Sequence, residues 1–319
     1  MSVCATTPSR FVGCDVSKTS IVVFDTASSQ TRVIPNRASD LARFAHSLDQ
    51  SCLVICEATG GYETRLLDAM LAAGRAAHRA DARKVKAFIR SFGTLGKSDA
   101  IDAQALARYG AERHASLAPW QAQDPARRTL QALVLLRIDL VAMRQAQLNR
   151  LAAPQAGDIA PLLRPILRHI ETQIRAIEAR IAALIRVHPT LRQALAILRT
   201  IPGIGDVSAA ALLALMPELG RLSGRQAAAL AGVAPHPYQS GSREGYRSTR
   251  GGRTDLKRAL FMPALVASRA KGSLSIAYQR MIARGKKPIV AITALMRKII
   301  VIANAKLRDA FLSHPLSVS

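Results

Sequence analysis

Apolar residues recur along this chain with two periods, and the change from one to the other divides it. Arg10 to about Asp25 reads FVGCDV, a polar SKTS, then IVVFD, which predicts two short β-branched strands joined as a hairpin. A third strand is expected at Thr31 to Ile34, then a helix over Leu41 to Leu48, a buried strand LVICEA at 53 to 58 and a helix over Glu63 to Ala73. A short strand at His78 to Ala80 and a helix around Asp99 to Ala111 complete the series. Strands in antiparallel succession, followed by strands alternating with helices, predict an α/β domain over residues 1–123.

Asp124 and Pro125 form an N-cap and first-turn pair, and the boundary is placed there. The period is helical from Pro125 to about Leu151. After a break between Pro154 and Pro161, Leu167, Ile170, Ile174, Ile177, Ile181 and Leu184 recur three and four apart. Glu171, Arg175, Glu178 and Arg180 fill the gaps, so residues 124–196 read as a helical connector with coiled-coil character. Its seam fits either a helix of the same chain or one of another subunit. Residues 197–319, rich in Gly, Ala and Arg, are expected to form a mainly α domain.

Charge narrows the partner. The 319 residues hold 45 Lys plus Arg against 21 Asp plus Glu, a net charge of +24 that calls for a polyanion, nucleic acid first. From Ser240 onward there are 16 Lys plus Arg and 3 Asp plus Glu, so the basic face is concentrated in the last quarter. The apolar run Ile289 to Ala303 is interrupted by Arg297 and Lys298, and no membrane span is expected. Residues 1 to 10, MSVCATTPSR, carry no basic and apolar leader, and Cys4, Cys14, Cys52 and Cys56 lack the paired spacing of a zinc site. A cytoplasmic location with reduced thiols is the expectation.

Four carboxylates stand out against this background. Asp15 lies within FVGCDV, sharing a strand face with Gly13 and Ser17, and Glu57 ends LVICE. A carboxylate taken into a strand core needs a cation or a metal as partner. Asp99 and Asp102, in KSDAIDAQALARYG, fall on one helix face, where their mutual repulsion is relieved by a divalent cation; hard oxygen ligands suit Mg²⁺. Taken singly, Asp15 would serve as well to end a strand, and the helix pair to complement a helix dipole.

Two further motifs follow. IPGIG at 201–205 precedes DVSAAALLALM, as in the hairpin of a helix-hairpin-helix, where Gly203 and Gly205 would let backbone N–H groups approach a phosphate. A plain turn between helices would read the same way. In AGVAPHPYQSGSREGYRSTRGGRTDLKRALFMPAL, Ser240 and Gly241 are followed by Arg243, Arg247, Arg250, Arg253, Lys257 and Arg258. A serine beside such cations is a candidate nucleophile toward phosphate, although Ser-Gly is ordinarily a turn.

The layout resembles the DEDD-type insertion-sequence transposases guided by a bridge RNA, and the related Piv-type DNA invertases. GCDVSK, CEATGGYE and KSDAIDAQALARYG are similar to the three acidic motifs of that family's RuvC-like, ribonuclease H-like domain; IPGIG and AGVAPHPYQSG are similar to its C-terminal domain. The resemblance implies that Asp15, Glu57, Asp99 and Asp102 hold Mg²⁺, with Mn²⁺ as a substitute, and that Ser240 becomes joined to DNA; Ser242 is the alternative serine. It also implies DNA recombination directed by a noncoding RNA in a homo-oligomer, dimer or tetramer. A Piv-like invertase, a hydrolytic junction resolvase using only the carboxylates, and a non-catalytic nucleic-acid binder remain alternatives. Tyr238 and Tyr246 are the aromatics placed to stack on bases near Ser240.

Overall fold

The structure, a computed structural model, describes residues 7–93, 96, 98–122, 124–240 and 243–313, with side chains for all but 238–240, 243–246 and 313. The chain forms two compact units, residues 1–122 and 123–319.

The first unit is built on a five-stranded sheet of order β3-β2-β1-β4-β5. Its strands are β1 (Arg10–Val16), β2 (Ser20–Asp25), β3 (Gln30–Pro35), β4 (Cys52–Glu57) and β5 (Ala76–Ala80). β1 to β3 form an antiparallel meander, while β4 and β5 run parallel to β1. Parallel strands need crossover connections, supplied here by α1 (Ala38–Ser47) and α2 (Thr64–Ala72). Then come α3 (Ala82–Arg90), absent from the sequence expectation, and α4 (Asp99–Arg113).

Strand alternation sorts the core into two layers. Val12, Cys14, Val16, Val54 and Cys56 face one way and pack with Leu41, Phe44, Leu66 and Leu67 of α1 and α2. Phe11, Leu53 and Ile55 face the other way and pack with Val85, Phe88, Leu106 and Tyr109 of α3 and α4.

Cys14, Cys52 and Cys56 are buried in this unit, and Cys4 lies outside the described residues. Burial pushes Cys52 and Cys56 up to about 12, and Cys14 up as well, from an ordinary value of 9.0. The unfolded chain releases these protons near pH 9 and the folded chain keeps them. Stability is therefore full below pH 9 and expected to fall as pH rises above it, by about 1.4 kcal/mol per pH unit for each thiol. Urea unfolding at pH 8 and pH 10 measures this, and replacing all three thiols with alanine should flatten the difference.

The second unit is mainly helical. Asp124 caps α5 (Pro125–Leu151) by accepting from the Ala126 N–H at 2.8 Å, with Pro125 in the first turn. α5 packs along α6 (Ala160–Val187), whose buried stripe is Leu163, Leu167, Ile170, Ile174, Ile177, Ile181 and Ile185. Ile185 replaces the expected Leu184, which is half-buried, because the stripe closes on two successive steps of four.

Then follow α7 (Pro189–Arg199), α8 (Asp206–Leu215) and α9 (Gly224–Leu230). A two-stranded ribbon comes next, β6 (Pro235–Ser240) and β7 (Arg243–Thr249), where only helix was expected. The chain continues through α10 (Thr254–Arg269), α11 (Ser273–Ala283) and α12 (Pro288–Ser313). Residues 209–215 of α8 are all buried, as befits a helix apolar on every side at the centre of a unit. Arg297 and Lys298 do not interrupt α12, which by length and apolar composition alone would suffice to cross a membrane. Its Ile292, Leu295, Met296, Ile299, Ile300, Ala303 and Leu307 are instead part of the core of the second unit.

Candidate active site

The parallel register of β1 and β4 sets Cys14 opposite Cys56, so Asp15 and Glu57, the next residue on each strand, stand side by side. Both are half-buried and lie on the α4 face, opposite to the two thiols. Asp15 is next to last in β1 and Glu57 ends β4, so each sits at the rim of the sheet rather than inside it.

The path of α4 can be followed from its glycine contacts. A Cβ on Gly110 would meet Ile55 and Phe11; one on Gly13 would lie 1.9 Å from the Ala103 carbonyl oxygen and 2.5 Å from the Ala107 nitrogen. Going from Phe11 to Gly13 along β1 thus means going from Gly110 back to Ala103 along α4. Extended by one step, the first turn of the helix lies toward the Asp15 end. That turn carries Asp99, exposed, and Asp102, half-buried, and is capped by Ser98 Oγ accepting from the Ile101 N–H at 3.3 Å.

The backbone therefore sets Asp15 beside Glu57 and runs the first turn of α4, with Asp99 and Asp102, toward the same end of the sheet. Among the described residues, no three His, Cys, Asp or Glu side chains gather into a metal-binding group. The donor set is nonetheless one of hard oxygens suited to Mg²⁺.

Two residues not anticipated from the sequence hold this corner. Glu63 is 1% exposed; its Oε2 accepts from the Thr59 N–H at 3.1 Å and the Gly61 N–H at 2.9 Å. Arg79 Nε stands 3.0 Å from its Oε1, too poorly aligned for a hydrogen bond but close enough for ion pairing. The loop leaving Glu57 is thereby folded back on a buried carboxylate, with Gly60 and Gly61 at positive φ.

Asn36, 3% exposed, donates from Nδ2 to the Ser17 carbonyl at 2.9 Å and the Tyr62 carbonyl at 3.4 Å. It clamps the turn after Asp15 to the loop after Glu57. The signal for Glu63 was the second glutamate of CEATGGYE, beyond a Gly-Gly turn that exposes backbone donors. Glu63→Ala should strand those donors and lower stability by about 2 kcal/mol, read as a drop in melting temperature.

In the second unit, Ser240 ends β6, its backbone paired with Arg243. Gly241 and Ser242 lie outside the described residues, as do the side chains of Tyr238, Ser240, Arg243 and Tyr246. At the base of the ribbon, a Cβ on Gly252 would come 2.2 Å from the Gly232 nitrogen, so two backbones meet there without side chains between them.

The basic residues divide by use. Arg247 and Arg250 are exposed. Arg253 is held by Glu218 at 2.8 and 2.6 Å and by the Leu215 carbonyl at 2.8 Å, Lys257 donates to Thr249 Oγ1 at 3.1 Å, and Arg258 pairs with Asp255 at 3.3 Å. Gly203, at φ +89°, would place a Cβ 2.2 Å from the Pro263 carbonyl of α10, so helix contact alone requires a glycine there. Gly205 has open space around it and precedes Asp206, which pairs with Arg199 at 3.1 Å.

Comparison with known proteins gives two family matches. The DEDD transposase model of IS110 matches residues 12–154, and the model for "Transposase IS116/IS110/IS902 family" matches residues 195–279. The pilin gene-inverting protein of Moraxella lacunata is 30% identical over 276 residues, 83% of each chain, and that of Moraxella bovis is equally similar. An uncharacterized 43.6 kDa protein of insertion element IS110 from Streptomyces coelicolor is 35% identical over 153 residues, 47% of this chain and 37% of its own. With these matches and relatives, the chain belongs to the IS116/IS110/IS902 family of transposases and is a DNA recombinase.

Proposed function

We propose that the chain is the transposase of an insertion sequence, cutting and rejoining DNA through a covalent phosphoserine on Ser240, guided by a noncoding RNA and working as a homo-oligomer. The observation that supports the reading is that β1 and β4 set Asp15 beside Glu57, while the first turn of α4, with Asp99 and Asp102, lies toward the same end of the sheet. In this reading these residues hold Mg²⁺, or Mn²⁺ in its place. The ion, when bound, neutralises charge on the scissile phosphate and polarises its oxygens. Glu63 and Asn36 keep the two strand carboxylates in place.

Ser240 attacks phosphorus through its hydroxyl, losing its proton, and the leaving strand departs as a 3′ or 5′ hydroxyl. The serine ester conserves the phosphodiester bond energy, so a second strand can displace the serine and complete the exchange without ATP. Water attacking in place of the serine would leave a broken end. The exposed Arg247 and Arg250 support the reading by offering cations to phosphate beside the ribbon. The RNA partner and the oligomer rest on the resemblance of the sequence motifs to the transposases guided by a bridge RNA.

The similarity to the pilin gene-inverting proteins over 83% of each chain favours a second reading, site-specific DNA inversion by the same chemistry.

Incubating the full chain with paired DNA sites, candidate RNA and Mg²⁺, followed by denaturing electrophoresis, should reveal a protein–DNA adduct. Ser240→Ala should lose that adduct and keep DNA binding. An adduct that persists in Ser240→Ala and disappears in Ser242→Ala would move the nucleophile two residues on. Cleavage without any adduct in the unmodified chain would replace the transposase with a hydrolase.

A further inference from the structure

A site outside these motifs lies on the face of the second unit where α5 and α6 meet α7 and α8. Two cavities, of about 410 and 320 Å³, open there and share the Arg137–Glu178 ion pair, 2.7 Å long, as a common wall. Each is in the range of clefts that take small organic groups, roughly 300–1,000 Å³. The larger has an aliphatic floor that includes Val134, Ile138, Ile181, Ile185, Leu195 and Val207; the smaller continues it with Val141 and Ile174.

Arginines border this floor throughout. Arg144 and Arg175 flank the smaller cavity, and Arg186, Arg192 and Arg199 the larger, so six arginines with Arg137 face three carboxylates, Glu171, Glu178 and Asp206. Glu178 and Asp206 are already paired, with Arg137 and Arg199. Arg144 Nε is buried without a hydrogen-bond partner, and Arg192 reaches only the Arg186 carbonyl, at 3.4 Å. The groove thus has spare guanidinium donors along its edge and apolar surface along its bottom.

We propose that this groove is a binding track for single-stranded nucleic acid, its bases lying on the aliphatic floor and its phosphates on Arg144, Arg175, Arg186 and Arg192. A duplex presents phosphates but hides its base faces, and would leave the floor uncovered. A strand with unpaired bases offers both chemistries at once. The track adjoins the 201–205 turn through Arg199, Asp206 and Val207, so a strand leaving the groove passes Gly205, where space is open. The inference rests on the chain's action on DNA and not on the four carboxylates or Ser240.

The test uses the full chain without Mg²⁺, so that binding is read apart from strand chemistry. A 12-nucleotide single-stranded DNA carrying 4-thiothymine is photocross-linked and the attached peptides are mapped by mass spectrometry. Cross-links are expected within residues 134–144 and 174–199. Ala182→Glu sets a carboxylate on the exposed edge of the larger cavity and should weaken binding about tenfold, while Ala182→Trp occludes the cavity and is read by sedimentation. Arg186→Gln with Arg192→Gln should lower the salt-dependence slope by about 1.4, two phosphates at about 0.7 each.

Unchanged affinity and slope in these variants, with cross-links confined elsewhere, overturns the proposal. A change in sedimentation of Ala182→Trp with oligonucleotide binding intact also overturns it, assigning the groove to a protein contact. Should a variant melt early, the cross-link map of the unmodified chain decides alone. None of these outcomes bears on Asp102→Asn, whose effect is read on strand cleavage.

Discussion

Asp102→Asn is expected to reduce strand cleavage by about a thousandfold or more while leaving DNA binding within about twofold, since one ligand of the proposed Mg²⁺ site is lost and no phosphate-binding cation is touched. Asn keeps the size and one oxygen of Asp but not the charge, and α4 should remain in place because its buried contacts are made by Ala103, Leu106, Ala107 and Gly110. Cleavage assayed over a Mg²⁺ and Mn²⁺ series, beside an anisotropy measurement of binding, separates the two effects. Full cleavage by Asp102→Asn would remove this residue from the site. A parallel loss of binding would point instead to misfolding, which a melting curve detects.

Gly13→Ala is the second large effect. The added methyl would occupy the position of the Ala103 carbonyl oxygen, 1.9 Å away, with the Ala107 nitrogen at 2.5 Å. No rotamer can relieve a clash between backbones, so β1 and α4 must separate. The cost is expected to be at least about 3 kcal/mol, and the helix would carry Asp99 and Asp102 away from Asp15 and Glu57. Melting temperature and cleavage should both fall, whereas Gly60→Ala, open on all sides at φ +61°, should affect stability far less. A Gly13→Ala chain with normal melting and activity would mean that α4 docks elsewhere.

The elements that the sequence discloses are those whose apolar pattern is strong. FVGCDV, IVVFD and LVICE became β1, β2 and β4, and Asp124 with Pro125 opened α5 as expected. α3 escaped because ARKVKAFIR buries only Val85 and Phe88, too few to mark a period. The ribbon of β6 and β7 escaped because PHPYQS holds two prolines, which argue against a strand unless it lies at an edge, and both strands of a two-stranded sheet are edges.

The candidate site was legible in its acidic residues and not in its supports. Asp15 and Glu57 are conspicuous because each sits in or at the end of an apolar strand run, and Asp99 and Asp102 because two like charges share one helix face. Glu63 was read only as the first residue of a helix, since only the folded loop shows its carboxylate receiving Thr59 and Gly61. Gly13 passed as a neutral strand residue, since its role depends on a helix about ninety residues further along. Gly203 was read for a phosphate, yet the backbone of α10 already demands a glycine there. Long-range contacts of this kind leave no periodic trace.

The ribbon that ends in Ser240 has a mechanical consequence. Its base is fixed where Gly232 meets Gly252, and at about 3.3 Å per residue the serine is carried about 17 Å from the start of β6. In the proposed reading, Ser240 on such an arm works at a distance set by the ribbon, and the length of the arm becomes a variable of the proposed chemistry. Removing one residue pair from β6 and β7 would shorten the reach by about 3 Å and turn every later side chain to the other face; removing two pairs would keep the facing and change the reach alone.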